Sequence, residues 1–189
     1  MKSLCVYCAS SPGTRPAYAA AAEALAGLLV ERGITIVYGG SSKGIMGRLA
    51  DAAIAGGGRV VGVLPKALIE KEVGHDGLHE LHIVSSMHER KALMSELADA
   101  FVALPGGFGT LEEIVETVTW AQLGFHGKPC GLLNVNGYFD ALSQFLTHAV
   151  DEGFIRRAHH DILQVADSPA ELLEKFERYV PPDIGKWRD

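Results

Sequence analysis

Seven short apolar runs punctuate the chain: residues 4–8, 34–38, 59–64, 81–84, 100–104, 130–134 and 162–166. Each has the length and the apolar character of a buried strand. Between them lie longer segments of helical period. In "AYAAAAEALAGLLVERG", Ala21, Leu25, Leu28 and Leu29 recur on one face and Gly33 supplies the stop. Alternation of this kind predicts a Rossmann-like α/β sandwich, a mainly parallel sheet of about six or seven strands covered by helices on both faces. No linker, repeat or low-complexity tract interrupts it, so we expect one domain over 1–189.

In an open parallel sheet, ligands bind beyond the carboxyl ends of the strands. The unusual sequences fall there: "ASSPG" after the first run, "GGSSKGIMG" after the second, "SSMHERK" after the fourth and "PGGFGTLEE" after the fifth. Gly106, Gly107 and Gly109 would let backbone N–H groups approach an anion at a helix start, with the Thr110 hydroxyl beside them. Gly39 to Gly44 offers a second such loop. Neither matches the P-loop or G-x-G-x-x-G orders.

Composition narrows the function classes. A net charge of −6 argues against a protein that coats nucleic acid. Mean hydropathy is +0.14 and no apolar run approaches membrane-spanning length. The start, "MKSLCVYCASSPG", lacks a signal peptide's apolar region, so we expect a soluble, cytoplasmic protein. Cys5 and Cys8 form a C-x-x-C, but on a strand they point to opposite faces, which predicts small buried strand residues rather than a metal or redox pair. His75, His79, His82 and His88 show no zinc spacing. We expect neither metal nor cofactor.

Two local patterns admit two readings each. Thr110 to Glu113 spells T-x-x-E, a capping box like "SMHE" (Ser86 to Glu89) and "SPAE" (Ser168 to Glu171), yet an acid beside a phosphate cradle also suits chemistry on a nucleotide. Arg90 and Lys91 stand in the first turn of a helix, where cations oppose the dipole. That predicts either a compensating anion or a solvated pair.

Taken together, "PGGFGTLEE", "SMHERK", "GGSSKGIMG" and "TWAQLG" closely resemble the Lonely Guy (LOG) family of cytokinin-activating phosphoribohydrolases, whose members were often labelled "lysine decarboxylase". The family signature P-G-G-x-G-T-x-x-E is met from Pro105 through Glu113, and the resemblance runs from about residue 4 to about residue 166. It implies hydrolysis of the N-glycosidic bond of N6-substituted adenosine 5′-monophosphates, and of AMP, to free base and ribose 5-phosphate. It also implies catalytic roles for Arg90 and Glu113. Lys91, Gly106, Gly107, Phe108, Gly109, Thr110, Leu111, Glu112 and Thr117 would match the substrate-binding surface, with Met87, Ser11 and Gly40 from neighbouring loops. Ala9 and Ser41 stand where members more often have Gly, and the tail "PPDIGKWRD" carries no motif.

The chemistry is consistent with that resemblance. Glycosidic cleavage passes through an oxocarbenium-like state that a carboxylate stabilises and a positioned water resolves. A non-catalytic nucleotide-binding module is the first rival. A pyridoxal decarboxylase is the second, and it needs a Schiff-base Lys that no predicted strand end presents. A homodimer or larger homo-oligomer is expected, both because the family is dimeric or larger and because Trp120 and Leu123 in "VTWAQLG" would be costly to expose together. Burial inside the monomer is the other account of those two residues.

Overall fold

All seven apolar runs are strands. The computed structural model describes residues 1–69 and 74–182, so most of the C-terminal tail lies outside the described residues. In chain order the elements are β1 (Ser3–Tyr7), α1 (Pro16–Glu31), β2 (Thr35–Tyr38), α2 (Gly44–Ala55), β3 (Val60–Pro65), α3 (Lys66–Ile69), β4 (Glu80–Val84) and α4 (Met87–Leu97). There follow β5 (Ala100–Ala103), α5 (Phe108–Gln122), β6 (Cys130–Leu133), α6 (Asp140–Asp151), α7 (Arg157–His160), β7 (Leu163–Ala166) and α8 (Pro169–Arg178). A short 3-10 turn, Val135–Gly137, precedes α6.

Every pairing in the sheet is parallel, in the order β4-β3-β2-β1-β5-β6-β7. The chain winds outward from β1 through β4, then returns to the other side of β1 with β5. The switch point is therefore between β1 and β5, where Cys5 lies in register with Val37 on one side and Phe101 on the other.

Strand alternation feeds two cores. Leu4, Val6 and Cys8 face the layer of Leu25, Leu29, Leu49 and Leu172 from α1, α2 and α8. Cys5 and Tyr7 face the opposite layer, with Met94 of α4 and Ile114 of α5. Cys5 and Cys8 thus lie on opposite faces as expected, and all three cysteines are free and buried. Burial pushes the Cys130 thiol up to about 12, which keeps it neutral.

Local signals account for several element ends. Gly33, at φ +65°, closes α1 in a Schellman arrangement, its N–H on Val30 O (3.0 Å) and that of Ile34 on Leu29 O (2.8 Å). The buried face of α1 is Ala22, Leu25, Ala26 and Leu29, with Ala21 and Leu28 at its margins. Small residues at the centre let α1 approach its neighbours closely. Ser86 and Ser168 cap α4 and α8 by accepting from Glu89 N and Glu171 N. The glutamates reach back one residue further than a capping box requires, to Ser85 N and Asp167 N.

His126, after α5, is held neutral. Its Nδ1 accepts from Lys128 N (3.2 Å), which leaves Nε2 to donate to Thr117 O (3.1 Å). Burial lowers its pKa, the Lys128 charge lowers it further, and the hydrogen bond to Thr117 acts the other way. A depressed histidine contributes stability that is present above its unfolded value of about 6.5 and is lost as pH falls through the folded value. Thermal unfolding should therefore show a midpoint that declines below about pH 6.5, and His126→Gln should flatten that decline. Identical pH profiles for the two proteins would remove this account.

Candidate active site

The carboxyl ends of β1 and β5 open onto a cleft of about 280 Å³, lined by Cys8, Ala9, Ser10, Ser11, Met46, Arg90, Gly107, Gly109, Thr110 and Glu113. A smaller chamber of about 170 Å³ adjoins it, sharing Ala9, Ser11 and Gly107 and adding Gly13, Tyr18, Ile45, Gly106 and Tyr138. Both sit at the switch point, where the fold leaves room between diverging loops.

Arg90 and Glu113 meet in the larger space. Arg90 is the fourth residue of α4, and Glu113 is the sixth of α5. Each is 7% exposed. The guanidinium donates through Nη1 to Glu113 Oε1 (3.0 Å) and through Nε to the Val63 carbonyl at β3 (3.1 Å). Two other stretches of chain, β3 and α5, thus fix one side chain of α4. Gly39, after β2, supplies the space: a Cβ there would collide with Arg90 Nη2 and crowd Met46 Sδ.

The compensating anions predicted for Arg90 and Lys91 are carboxylates of α5. Lys91 is buried, with Nζ 2.5 Å from Glu112 Oε1 and 2.9 Å from Glu116 Oε2. Burial acts to lower the ammonium's pKa, but the bonds and charges of Glu112 and Glu116 outweigh it and hold it above the usual lysine value. The solvated-pair reading is excluded by the burial of both cations. Lys91 and Glu112 are each other's partners here, and neither is among the residues that border the cleft.

The capping-box reading of Thr110 to Glu113 is also excluded. The helix starts at Phe108 with Gly107 as its N-cap, so Thr110 is already the third helical residue. Extended backbone at Gly107 moves the boundary upstream of the T-x-x-E pattern. Thr110 is instead 4% exposed and packs against Gly106, where a Cβ would strike its side chain. Beside Gly107 and Gly109, by contrast, a Cβ would meet nothing within 4 Å. Neither packing nor a positive φ demands glycine at these two positions. Open space over exposed N–H groups is what a closely approaching ligand needs.

The remaining expected residues divide. Ser11 borders both chambers. Phe108 is 93% exposed and Met87 42%, both outside the cleft wall, while Leu111 packs on the core. Thr117 is buried, donating to Glu113 O (2.8 Å) and paired with Tyr7 Oη (2.9 Å), so it faces the sheet. Gly40, at φ +80°, makes a turn pressed against β3. Of the two departures from glycine, Ser41 has an internal use, its Oγ accepting from Lys43 N (3.2 Å), and Ala9 borders both chambers. Cys8, Ser10 and Met46 were not legible as wall residues. Their strand-end position was the available signal, but side-chain direction depends on how the loops close. Among the described residues, no group of three His, Cys, Asp or Glu is placed to hold a metal.

The fold and the cleft define a doubly wound α/β protein with a buried Arg–Glu pair at the switch point of its sheet. A family model described as "possible lysine decarboxylase" matches residues 46–176. The cytokinin riboside 5′-monophosphate phosphoribohydrolase LOG of Oryza sativa subsp. japonica is 51% identical, covering 100% of this chain and 78% of its own. The enzyme of that activity named LOG7 in Arabidopsis thaliana is 50% identical over 95% and 83%. The chain belongs to the LOG family. Among solved structures, the molybdenum cofactor carrier protein of Chlamydomonas reinhardtii superposes with a TM-score of 0.70 at 20% identity, covering 93% of this chain and 96% of its own. That likeness is one of fold.

Proposed function

We propose that this protein, acting as one domain, hydrolyses the N-glycosidic bond of N6-substituted adenosine 5′-monophosphates, and of AMP, releasing free base and ribose 5-phosphate. Family membership supports the reaction class. The observation that carries the assignment to residues is the Arg90–Glu113 pair, buried at 3.0 Å in the wall of the switch-point cleft.

In this reading Glu113 stabilises the oxocarbenium-like state and positions the attacking water. The water oxygen bonds to the anomeric carbon as the carbon–nitrogen bond breaks. The electron pair of that bond leaves with the base, which takes up the proton that the attacking water gives up. Arg90 holds the carboxylate in place and offsets charge that develops as the base departs. The glycine N–H groups at the start of α5 anchor the phosphate, and that remote binding energy explains a preference for nucleotide over nucleoside. Lys91, tied to Glu112 and Glu116, is not presented to the cleft as a Schiff-base lysine would be.

Incubation with AMP and with isopentenyladenosine monophosphate, followed by assay of ribose 5-phosphate and free base, tests the reading. Both products should appear in equal amounts. Binding without turnover would leave a non-catalytic nucleotide-binding module.

The reading extends to a homodimer working in the cytoplasm. Val115 (53% exposed), Leu123 (38%) and Phe125 (74%) leave an apolar band on and after α5, with Trp120 half-buried among them. Among the described residues no helix is long and apolar enough to cross a membrane. Light scattering at micromolar concentration should give at least twice the chain mass. A monomer there would refute the dimer.

A further inference from the structure

We infer that Tyr138 is a positioning residue, whose hydroxyl sets the peptide between Gly106 and Gly107 so that the Gly107 N–H faces the larger chamber. The inference rests on the reading above, in which the substrate carries a 5′-phosphate.

Tyr138 follows β6, far in sequence from the signature, and donates through Oη to Gly106 O at 2.6 Å. The described residues contain no cis peptide, so the carbonyl of residue 106 and the N–H of residue 107 point in opposite directions. Tyr138 borders only the smaller chamber, whereas Gly107 borders both. A carbonyl drawn toward Tyr138 therefore turns the N–H toward the side that holds Arg90 and Glu113.

A tether is needed because two adjacent glycines offer little resistance to rotation of the peptide between them. It is also firmly mounted. The Tyr138 ring meets Tyr18 and Phe139 edge-on, at 5.6 and 5.0 Å between centroids. The turn that delivers it passes through Asn136 at φ 53°, the one non-glycine residue with positive φ among those described. Asn134 secures that turn, its amide donating to Asp140 Oδ1 (2.8 Å) and accepting from Phe139 N (2.8 Å). A left-handed asparagine is a cost that a loop free to vary would shed.

Tyr138→Phe in the full chain keeps the ring and removes the tether. Affinity for ribose 5-phosphate, measured by calorimetry, should fall about tenfold, and KM for AMP should rise by a similar factor with kcat within about threefold. Turnover of adenosine, which has no phosphate, should match that of the unsubstituted protein, and the melting temperature should change little. Unchanged affinity for ribose 5-phosphate, or an equal loss for AMP and adenosine, would overturn the inference. Amide NMR tests the direction of the N–H: the Gly107 resonance should shift when ribose 5-phosphate is added to the unsubstituted protein and shift less in Tyr138→Phe, and an unmoved resonance, or equal shifts in the two proteins, also overturns the inference. If the unsubstituted protein releases ribose 5-phosphate from no nucleotide, the hydrolase reading falls, while the affinities of the two proteins for ribose 5-phosphate still decide the role of Tyr138.

Discussion

Glu113→Gln is expected to lower turnover of adenosine 5′-monophosphates by on the order of a hundredfold or more in a protein that remains folded. The amide keeps the shape of the carboxylate and can still accept from Arg90 Nη1, so packing around α5 should persist. What it loses is the negative charge, and with it the means to stabilise an oxocarbenium-like state. A charge-assisted hydrogen bond becomes a weaker one, at a cost of about 1 kcal/mol, or about 2–4 °C in melting temperature for a chain of this size. Nucleotide binding should survive. Because Glu113 sits six residues into α5, a capping role can no longer explain a loss of activity. Near-normal turnover in the folded variant would remove the proposed mechanism and favour a binding module.

Arg90→Ala should be inactive to a similar degree and should also cost stability. The guanidinium meets the Glu113 carboxylate and the Val63 carbonyl, and its removal takes away the positive charge facing a buried carboxylate. Breaking a buried pair from one side costs about 3–5 kcal/mol. The substitution also removes the Arg90 bond that helps to hold the Glu113 side chain in its reacting position, and small displacements of this kind cost about a hundredfold in rate. Kinetics and thermal melts on the pair of variants separate these effects. Arg90→Ala should melt well below Glu113→Gln, and a melting temperature for Arg90→Ala equal to that of the unsubstituted protein would mean that the pair contributes little to the fold.

The strands were legible because central parallel strands are buried on both faces and appear as continuous apolar runs, as in residues 100–103. The rim of the sheet was legible for a related reason: once alternation implies a parallel sheet, every strand-to-helix loop lies at one end. Ser86 and Ser168 announced their helices through local chemistry that needs no tertiary contact. The T-x-x-E of α5 misled because Gly107, with no side chain to cap with, had already begun the helix. The partners of Lys91 could not be read at all. Glu112 and Glu116 lie on another helix, and only the packing of α4 beside α5 brings the three together. Gly39 likewise looked like part of an anion-binding loop, whereas its missing side chain makes room for a guanidinium from residue 90.

The position of β1 in the sheet also bears on synthesis. It is made before the other strands of this sheet and it lies between β2 and β5, so one of its edges stays open until residues 100–103 have been made. At about 5–20 residues per second, that leaves on the order of ten seconds in which an apolar strand presents unpaired backbone. An uncovered edge of this kind invites pairing with a neighbouring nascent chain. Crowded polysomes are therefore where this protein is most exposed to misassembly, and the arrival of β5 closes the open edge of β1 just before the residues of α5 that wall the cleft are made.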